Sequence, residues 1–191
     1  AIGYASDIVV KNGAVGIVMA NQGANGGGAA SYEARDTFKV GTSNIPVEGG
    51  TIYAVAGTYG YTLTETVNMT IKGGTFTAAT SPTQTGIILG GTNGEVKNAT
   101  LNMTGGNTKN IALAQRTMIT GKAVLNITGG TVGSIYMGSR YNKEEDSSNT
   151  GWWFSNYGYV NYGQAAAIDL TIGADVKYND VYAGFQFYAE E

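Results

Sequence analysis

The residues whose type and spacing could carry catalysis are three aspartates near the end of the chain, Asp169, Asp175 and Asp180. Glycoside hydrolysis uses two carboxyl groups about 5 to 9 Å apart, so a pair drawn from these three is the catalytic candidate if the protein is an enzyme. The alternative is turn chemistry. Asp175 stands where other parts of the chain carry a Gly pair, and Asn179-Asp180 is typical of a bend.

Missing residue types narrow the possible chemistry. The sequence has no His and no Cys, which excludes Ser-His-Asp and Cys-His nucleophiles, disulfides and zinc sites of the usual kind. Catalysis would have to use carboxylates, Tyr, Lys or Arg. Polysaccharide lyase chemistry also needs a base beside a calcium-binding acidic cluster. The candidate bases Arg116 and Arg140 have no acidic cluster one structural repeat away. We therefore expect a non-enzymatic protein that needs no cofactor.

An aromatic-rich segment is the main candidate for binding. It contains both Trp residues of the chain and five further rings. Aromatic faces stack on sugar C–H surfaces, which makes this segment a candidate glycan site. The alternative is that the rings fold against the flank of the protein and bury apolar area. The candidate ligand-binding residues are Tyr141, Trp152, Trp153, Phe154, Tyr157, Tyr159 and Tyr162.

The same segment carries a short acidic run, Glu144, Glu145 and Asp146. Six to eight oxygen ligands in a flexible loop can hold Ca²⁺. No established calcium-loop spacing accompanies these residues, so a solvated acidic loop tip is the competing and preferred interpretation.

The elements that must position these residues come from an internal repeat. Gly pairs or close variants recur along the chain, and their second residues are Gly13, Gly50, Gly74, Gly106, Gly130 and Ala174, at intervals of 37, 24, 32, 24 and 44. The basic unit is therefore 24 residues, lengthened by insertions. A repeat of this kind buries its apolar face only by stacking on its neighbours.

Alternating apolar residues flank each Gly pair and predict two short strands per copy. Before the pair, Val67, Met69 and Ile71 correspond to Ala99, Leu101 and Met103, to Ala123, Leu125 and Ile127, and to Ile168, Leu170 and Ile172. After the pair, the predicted inward residues are Ile87 and Leu89, Ile111 and Leu113, Ile135 and Met137, Val181 and Ala183, with Ile17 and Met19 in the first copy. Columns that match copy by copy favour a parallel β-solenoid over a β-sandwich.

The strings that carry this pattern, LNMTGG and LNITGG followed by IYMG at Ile135 to Gly138, support a family resemblance. They resemble the degenerate Gly-rich repeats of right-handed parallel β-helix proteins on bacterial surfaces, the pectin-lyase-like and adhesin class. The resemblance implies an all-β, single-stranded right-handed parallel β-helix (β-solenoid) of about six rungs with three loop insertions. That class includes lyases, glycosidases, phage tail proteins and passive stalks, so the resemblance implies no particular activity.

The expected organisation is one domain over residues 1–191, with insertions at about 21–42, 77–86 and 139–164. The chain begins at Ala1 rather than Met, which we interpret as a segment of a longer protein with neighbouring domains. A net charge of −3 without a basic stripe argues against nucleic acid, and no apolar run is long enough to span a bilayer.

We expect a bacterial-type secreted or cell-surface module with a structural or adhesive role. Its expected ligand is a glycan or a partner protein. The alternative is a carbohydrate-active enzyme, a glycosidase or polysaccharide lyase, or a subunit of one.

Overall fold

The computed structural model of the chain describes residues 5–19, 39–58, 62–78, 85–91, 95–114, 118–139 and 165–183. These residues form β-strands and turns and contain no helix, so the all-β prediction is confirmed. The strands in chain order are β1 (Ser6–Asp7), β2 (Ala14–Met19), β3 (Lys39–Val47), β4 (Thr51–Ala56), β5 (Leu63–Ile71), β6 (Thr75–Phe76), β7 (Ile87–Ile88), β8 (Glu95–Met103), β9 (Asn107–Ala114), β10 (Met118–Ile127), β11 (Thr131–Ser139), β12 (Ala165–Ile172) and β13 (Asp180–Tyr182).

The strands form two parallel sheets. Sheet A has the order β1-β3-β5-β8-β10-β12, and sheet B has the order β13-β11-β9-β6-β4-β2, with β7 lying between β4 and β9. Each sheet A strand is followed in the chain by a sheet B strand, and such a pair is one copy of the repeat. Two strands extend into predicted insertions. Lys39–Val47 begins inside the insertion predicted at about 21–42, and Thr131–Ser139 ends at the first residue of the insertion predicted at about 139–164.

The predicted columns of sheet A are confirmed residue by residue. Met69 pairs with Leu101, Leu101 with Leu125, and Leu125 with Leu170. The flanking columns through Val67 and Ile71 keep the same register. Fully buried residues in these columns are Met69, Leu101 and Leu125, and Ile71, Met103 and Ile127. Each of them lies between two apolar register neighbours in a common core.

A Gly turn carries the chain from sheet A to sheet B in each copy. Gly130, for example, has φ +97°, a conformation that residues with a Cβ rarely adopt. The turns also stack tightly, since a Cβ at Gly130 would approach the carbonyl oxygen of Gly106 to 2.6 Å. The repeated Gly pair is therefore required by both backbone conformation and backbone spacing.

In sheet B the prediction for the first copy is wrong by one residue. Val18, not Ile17, pairs with Val55 in the column that continues through Ile87. Val18 is 6% exposed and Ile17 is 53% exposed. The reason is that sheet B strands do not alternate strictly. Ile52 and Val55 are both buried although they are three residues apart, so strict alternation from Val15 leads to the wrong residue.

The last copy has the predicted register but not the predicted burial. Val181 pairs with Ile135, as expected, yet it is 40% exposed while Ile135 is fully buried. Leu170 and Ile172 in β12 are likewise only half-buried. The cause is that no described strand lies beyond β12 and β13.

In the described part of the chain, no helix is long and apolar enough to cross a membrane.

Candidate functional site

The three candidate aspartates are exposed and lie on different elements. Asp169 is in β12 of sheet A, Asp175 is in the turn between the sheets, and Asp180 begins β13 of sheet B. The Asp169 carboxylate forms an ion pair with Lys122 on the neighbouring strand β10. Among the described residues, no group of three or more Asp or Glu side chains lies close enough to hold a metal ion.

The aromatic and acidic candidates lie outside the described residues. This applies to the ligand-binding candidates from Tyr141 to Tyr162, including Trp152 and Trp153, and to the calcium candidates Glu144, Glu145 and Asp146. Their roles stay predictions. The described strands on either side of this segment are β11, which ends at Ser139, and β12, which begins at Ala165.

A groove on the outer face of sheet B is the candidate site within the described residues. It has a volume of about 430 Å³ and is formed by the last three copies of the repeat. Its lining residues are Asn107, Thr108, Lys109, Thr131, Val132, Gly133, Val176, Lys177, Tyr178 and Asn179. We call it the Gly133 groove.

Two outward-facing columns of sheet B form the groove. In one column, Asn107 pairs with Thr131, which forms a bridge with Lys177. In the next outward column, Lys109 is followed by Gly133 and then by Asn179, whose backbone N–H donates to the Gly133 carbonyl oxygen at 2.8 Å. These positions alternate with Thr108 and Val132, which are buried. The groove is therefore built by strand alternation, with polar residues outside and the core beneath.

Gly133 creates the depression in this face. A Cβ at this position would approach the carbonyl oxygen of Lys109 to 2.2 Å, so a side chain does not fit without a backbone shift. The column consequently has a gap of one residue between the side chains of Lys109 and Asn179. Since neighbouring strands are about 4.8 Å apart, these two residues lie about 10 Å from each other across the gap.

Backbone hydrogen bonds hold the far wall of the groove in place. The Val132 N–H donates to the Lys177 carbonyl oxygen at 2.7 Å, and the Lys177 N–H donates to the Gly130 carbonyl oxygen at 3.3 Å. Val176 is buried and belongs to the core. The segment that carries Lys177 and Asn179 is therefore fixed to β11 and its turn before any ligand binds.

The Gly133 groove offers hydrogen-bonding groups and positive charge. Its lining contains two ammonium groups, two amides, a hydroxyl at Thr131 and the Tyr178 ring, and it contains no carboxylate. Acid–base cleavage of a glycosidic bond by paired carboxyl groups is not available there. Lys ammonium groups act only as donors and carry positive charge, so the groove matches an acceptor-rich, anionic ligand.

On the outer face of sheet A, polar groups contact one another. Lys72 pairs with Glu48 at 3.7 Å and Lys97 pairs with Glu65 at 3.2 Å. Asn side chains also bond along the columns. Asn68 Nδ2 donates to Asn44 Oδ1, and Asn126 Nδ2 donates to Asn102 Oδ1, each at 3.0 Å. These contacts join neighbouring copies of the repeat.

Sequence reasoning did not find the Gly133 groove, although a signal was present. Outward positions in sheet B stand one and three residues after each Gly pair, so Asn107 and Lys109 occupy the same offsets as Thr131 and Gly133. If residues at the same offset are aligned between copies, Gly133 is predicted to lie beside Lys109 on the neighbouring strand. In the final copy, two additional residues lie between the turn residue Ala174 and Lys177. Lys177 and Asn179 therefore do not stand at these offsets, although they occupy the corresponding positions of the sheet.

Comparison of this chain with protein-family models, with curated proteins and with solved structures gives no match.

Proposed function

We propose that this chain is a right-handed parallel β-solenoid module of a secreted or cell-surface protein, with a structural and adhesive role. The observation that carries the proposal is the register of the two sheets. Successive strands alternate between sheet A and sheet B, and each strand pairs in parallel with the strand of the next copy. The right-handed form is the one that parallel β-crossovers almost always adopt.

The continuous core supports a structural role. Columns such as Met69, Leu101 and Leu125 run through successive copies and are fully buried, so each copy stabilises the next. A stack of this kind is rigid and presents fixed rows of side chains on its outer faces. That is the property an adhesive scaffold needs.

The surface supports binding of an acceptor-rich ligand. The Gly133 groove offers several hydrogen-bond donors and two cations on rigid strands, and preorganised donors reduce the entropy cost of binding. A glycan is the proposed ligand class, since its hydroxyls suit amides and its ring faces suit aromatics. The aromatic segment with Trp152 and Trp153 is the proposed second contact.

Engineered cross-links test the stacking. The chain has no Cys, so two pairs can be introduced without interference: Thr70→Cys with Asn102→Cys in sheet A, and Thr51→Cys with Thr75→Cys in sheet B. Both pairs should oxidise to disulfides, because in-register neighbours lie within disulfide range. The out-of-register control, Thr70→Cys with Thr104→Cys, should stay reduced. Equal oxidation of the control would contradict the proposed stack.

A glycan array tests the adhesive role. The wild-type chain should bind a subset of glycans, and the double variant Trp152→Ala, Trp153→Ala should lose part or all of that signal. If the double variant keeps every signal and only its melting temperature falls, the aromatic segment is structural and its proposed contact is withdrawn.

A further inference from the structure

We propose that the Gly133 groove binds a sulfate ester carried by a saccharide. This rests on the proposed adhesive function in that the ligand is a saccharide, and it names the chemical group that the groove recognises.

The charge of the groove comes from Lys109 and Lys177. Both side chains are exposed, and they occupy opposite corners of an array of two columns and three strands. The centre of that array is the position of Gly133 and Thr131. Lys177 forms no ion pair with another residue in the described part of the chain, unlike Lys72, Lys97 and Lys122 on sheet A. An anion over Gly133 is within reach of two four-carbon lysine stems.

The donor geometry favours a tetrahedral oxyanion over a planar carboxylate. A planar carboxylate is best matched by the flat fork of an arginine, and the groove lining contains no Arg. The donors of the groove instead belong to three neighbouring strand segments, namely Asn107 and Lys109, Thr131, and Lys177 with Asn179. A sulfate ester presents three terminal oxygens in different directions, so it can accept from all three segments at once.

The remaining features favour a saccharide as the carrier of the sulfate. Tyr178 lines the groove and is 48% exposed, which leaves its ring available to the C–H face of a sugar. The gap at Gly133 is one residue wide and open to solvent, which suits a single pyranose ring. The amides of Asn107 and Asn179 can each donate to and accept from ring hydroxyls.

The test is an NMR titration of the full 191-residue chain, monitored by the backbone amide of Gly133. The probes are N-acetylglucosamine 6-sulfate, unsulfated N-acetylglucosamine, glucuronic acid, inorganic sulfate and a short polyglutamate peptide. We expect the sulfated sugar to shift Gly133, Lys177 and Asn179 with an affinity roughly tenfold or more above every other probe. The unsulfated sugar lacks the cation contacts, inorganic sulfate lacks the contacts of the sugar ring, and the two carboxylate probes lack the tetrahedral arrangement of oxygens.

Each other ranking overturns the proposal. Equal binding of glucuronic acid would mean that the groove recognises charge without shape. Equal binding of inorganic sulfate would remove the saccharide from the site. Tighter binding of polyglutamate would make the groove a peptide site.

Two matched variants localise the effect. Lys109→Gln with Lys177→Gln should weaken the sulfated sugar by roughly tenfold, and Lys72→Gln with Lys97→Gln on sheet A should leave its affinity within about twofold. Both double variants remove the same charge from exposed positions, so equal losses would contradict a local site. If glycan-array binding survives in Lys109→Gln with Lys177→Gln but disappears in Trp152→Ala with Trp153→Ala, the adhesive function stands and the groove proposal fails.

Discussion

Gly133 lies directly against Lys109 on the neighbouring strand, so close that a Cβ on Gly133 would approach the Lys109 carbonyl oxygen to 2.2 Å. The same outward column of sheet B begins at Gly16, where a Cβ would meet nothing within 4 Å. The two glycines occupy corresponding positions of the repeat, yet only one is required by contact with its neighbour.

This difference predicts opposite outcomes for one substitution. Gly133→Ala should lower the free energy of unfolding by about 2 kcal/mol, because backbone must move to admit the methyl group. Gly16→Ala should be neutral or stabilise slightly, by reducing the freedom of the unfolded chain. Urea denaturation of both variants measures the effect. Equal stability of the two variants would contradict the close approach of β9 and β11.

Two leucines of one column test the exposure of the last copy. Leu125 is fully buried and Leu170, its register partner, is half-buried. Leu125→Ala should cost about 3 kcal/mol of unfolding free energy, and Leu170→Ala should cost about half as much, because fewer contacts are lost. Chemical denaturation distinguishes them. A cost for Leu170→Ala as large as that for Leu125→Ala would show that Leu170 is fully packed in solution.

Thr64 predicts a stabilising substitution. Its hydroxyl is buried and has no hydrogen-bond partner among the described residues, and its register neighbours are Val40 and Val96. Thr64→Val should raise the free energy of unfolding by about 1 kcal/mol, since it removes an unpaired buried polar group. The melting temperature reports the change.

A neighbouring threonine is the control for Thr64. Thr62 is equally buried, but its hydroxyl is hydrogen-bonded to that of Thr58. Thr62→Val should therefore destabilise the protein by about 1 kcal/mol, because it leaves the Thr58 hydroxyl without that partner. A gain in stability for Thr62→Val would remove the argument for Thr64.

The aspartates test the enzyme alternative. Asp169→Asn, Asp175→Asn and Asp180→Asn, combined in one variant, should behave like wild type in an assay for the release of reducing ends or unsaturated products from polysaccharides. The loss of the exposed ion pair between Asp169 and Lys122 should cost less than about 1 kcal/mol of stability. Turnover by the wild type that disappears in the triple variant would make the chain an enzyme.

Sheet A could be predicted from the sequence almost completely, and sheet B only in part. Residues such as Met69 and Leu101 alternate strictly with polar neighbours at a fixed distance before the Gly turn, so the period of the pattern and its position relative to the turn agree. Sheet B strands do not alternate strictly between Ile52 and Val55, so strict alternation selects Ile17 instead of Val18. The offset from the Gly turn was the better guide, because Val18 follows Gly13 by the same five residues as Val55 follows Gly50.

The Gly133 groove was harder to predict because an absent side chain creates it. Gly133 in the sequence resembles any other glycine of a turn-rich chain, and its close approach to Lys109 is visible only once β9 and β11 are paired. Lys177 is also displaced by the longer final copy. A site built from register and from a missing Cβ has no local motif, whereas a turn or an alternating strand has one.

One strand of sheet B is interrupted without any loss of register. In the third copy, Thr75–Phe76 pairs with Thr51–Ile52, and Ile87–Ile88 pairs with Val55–Ala56. Eight more residues separate Phe76 from Ile87 than separate Ile52 from Val55, which accounts for the interval of 32 rather than 24 between Gly74 and Gly106. The position between Phe76 and Ile87 in sheet B therefore accepts additional residues without loss of strand pairing. Foreign peptides could be grafted there for display, and natural variants could diversify there while the rest of the fold is inherited unchanged.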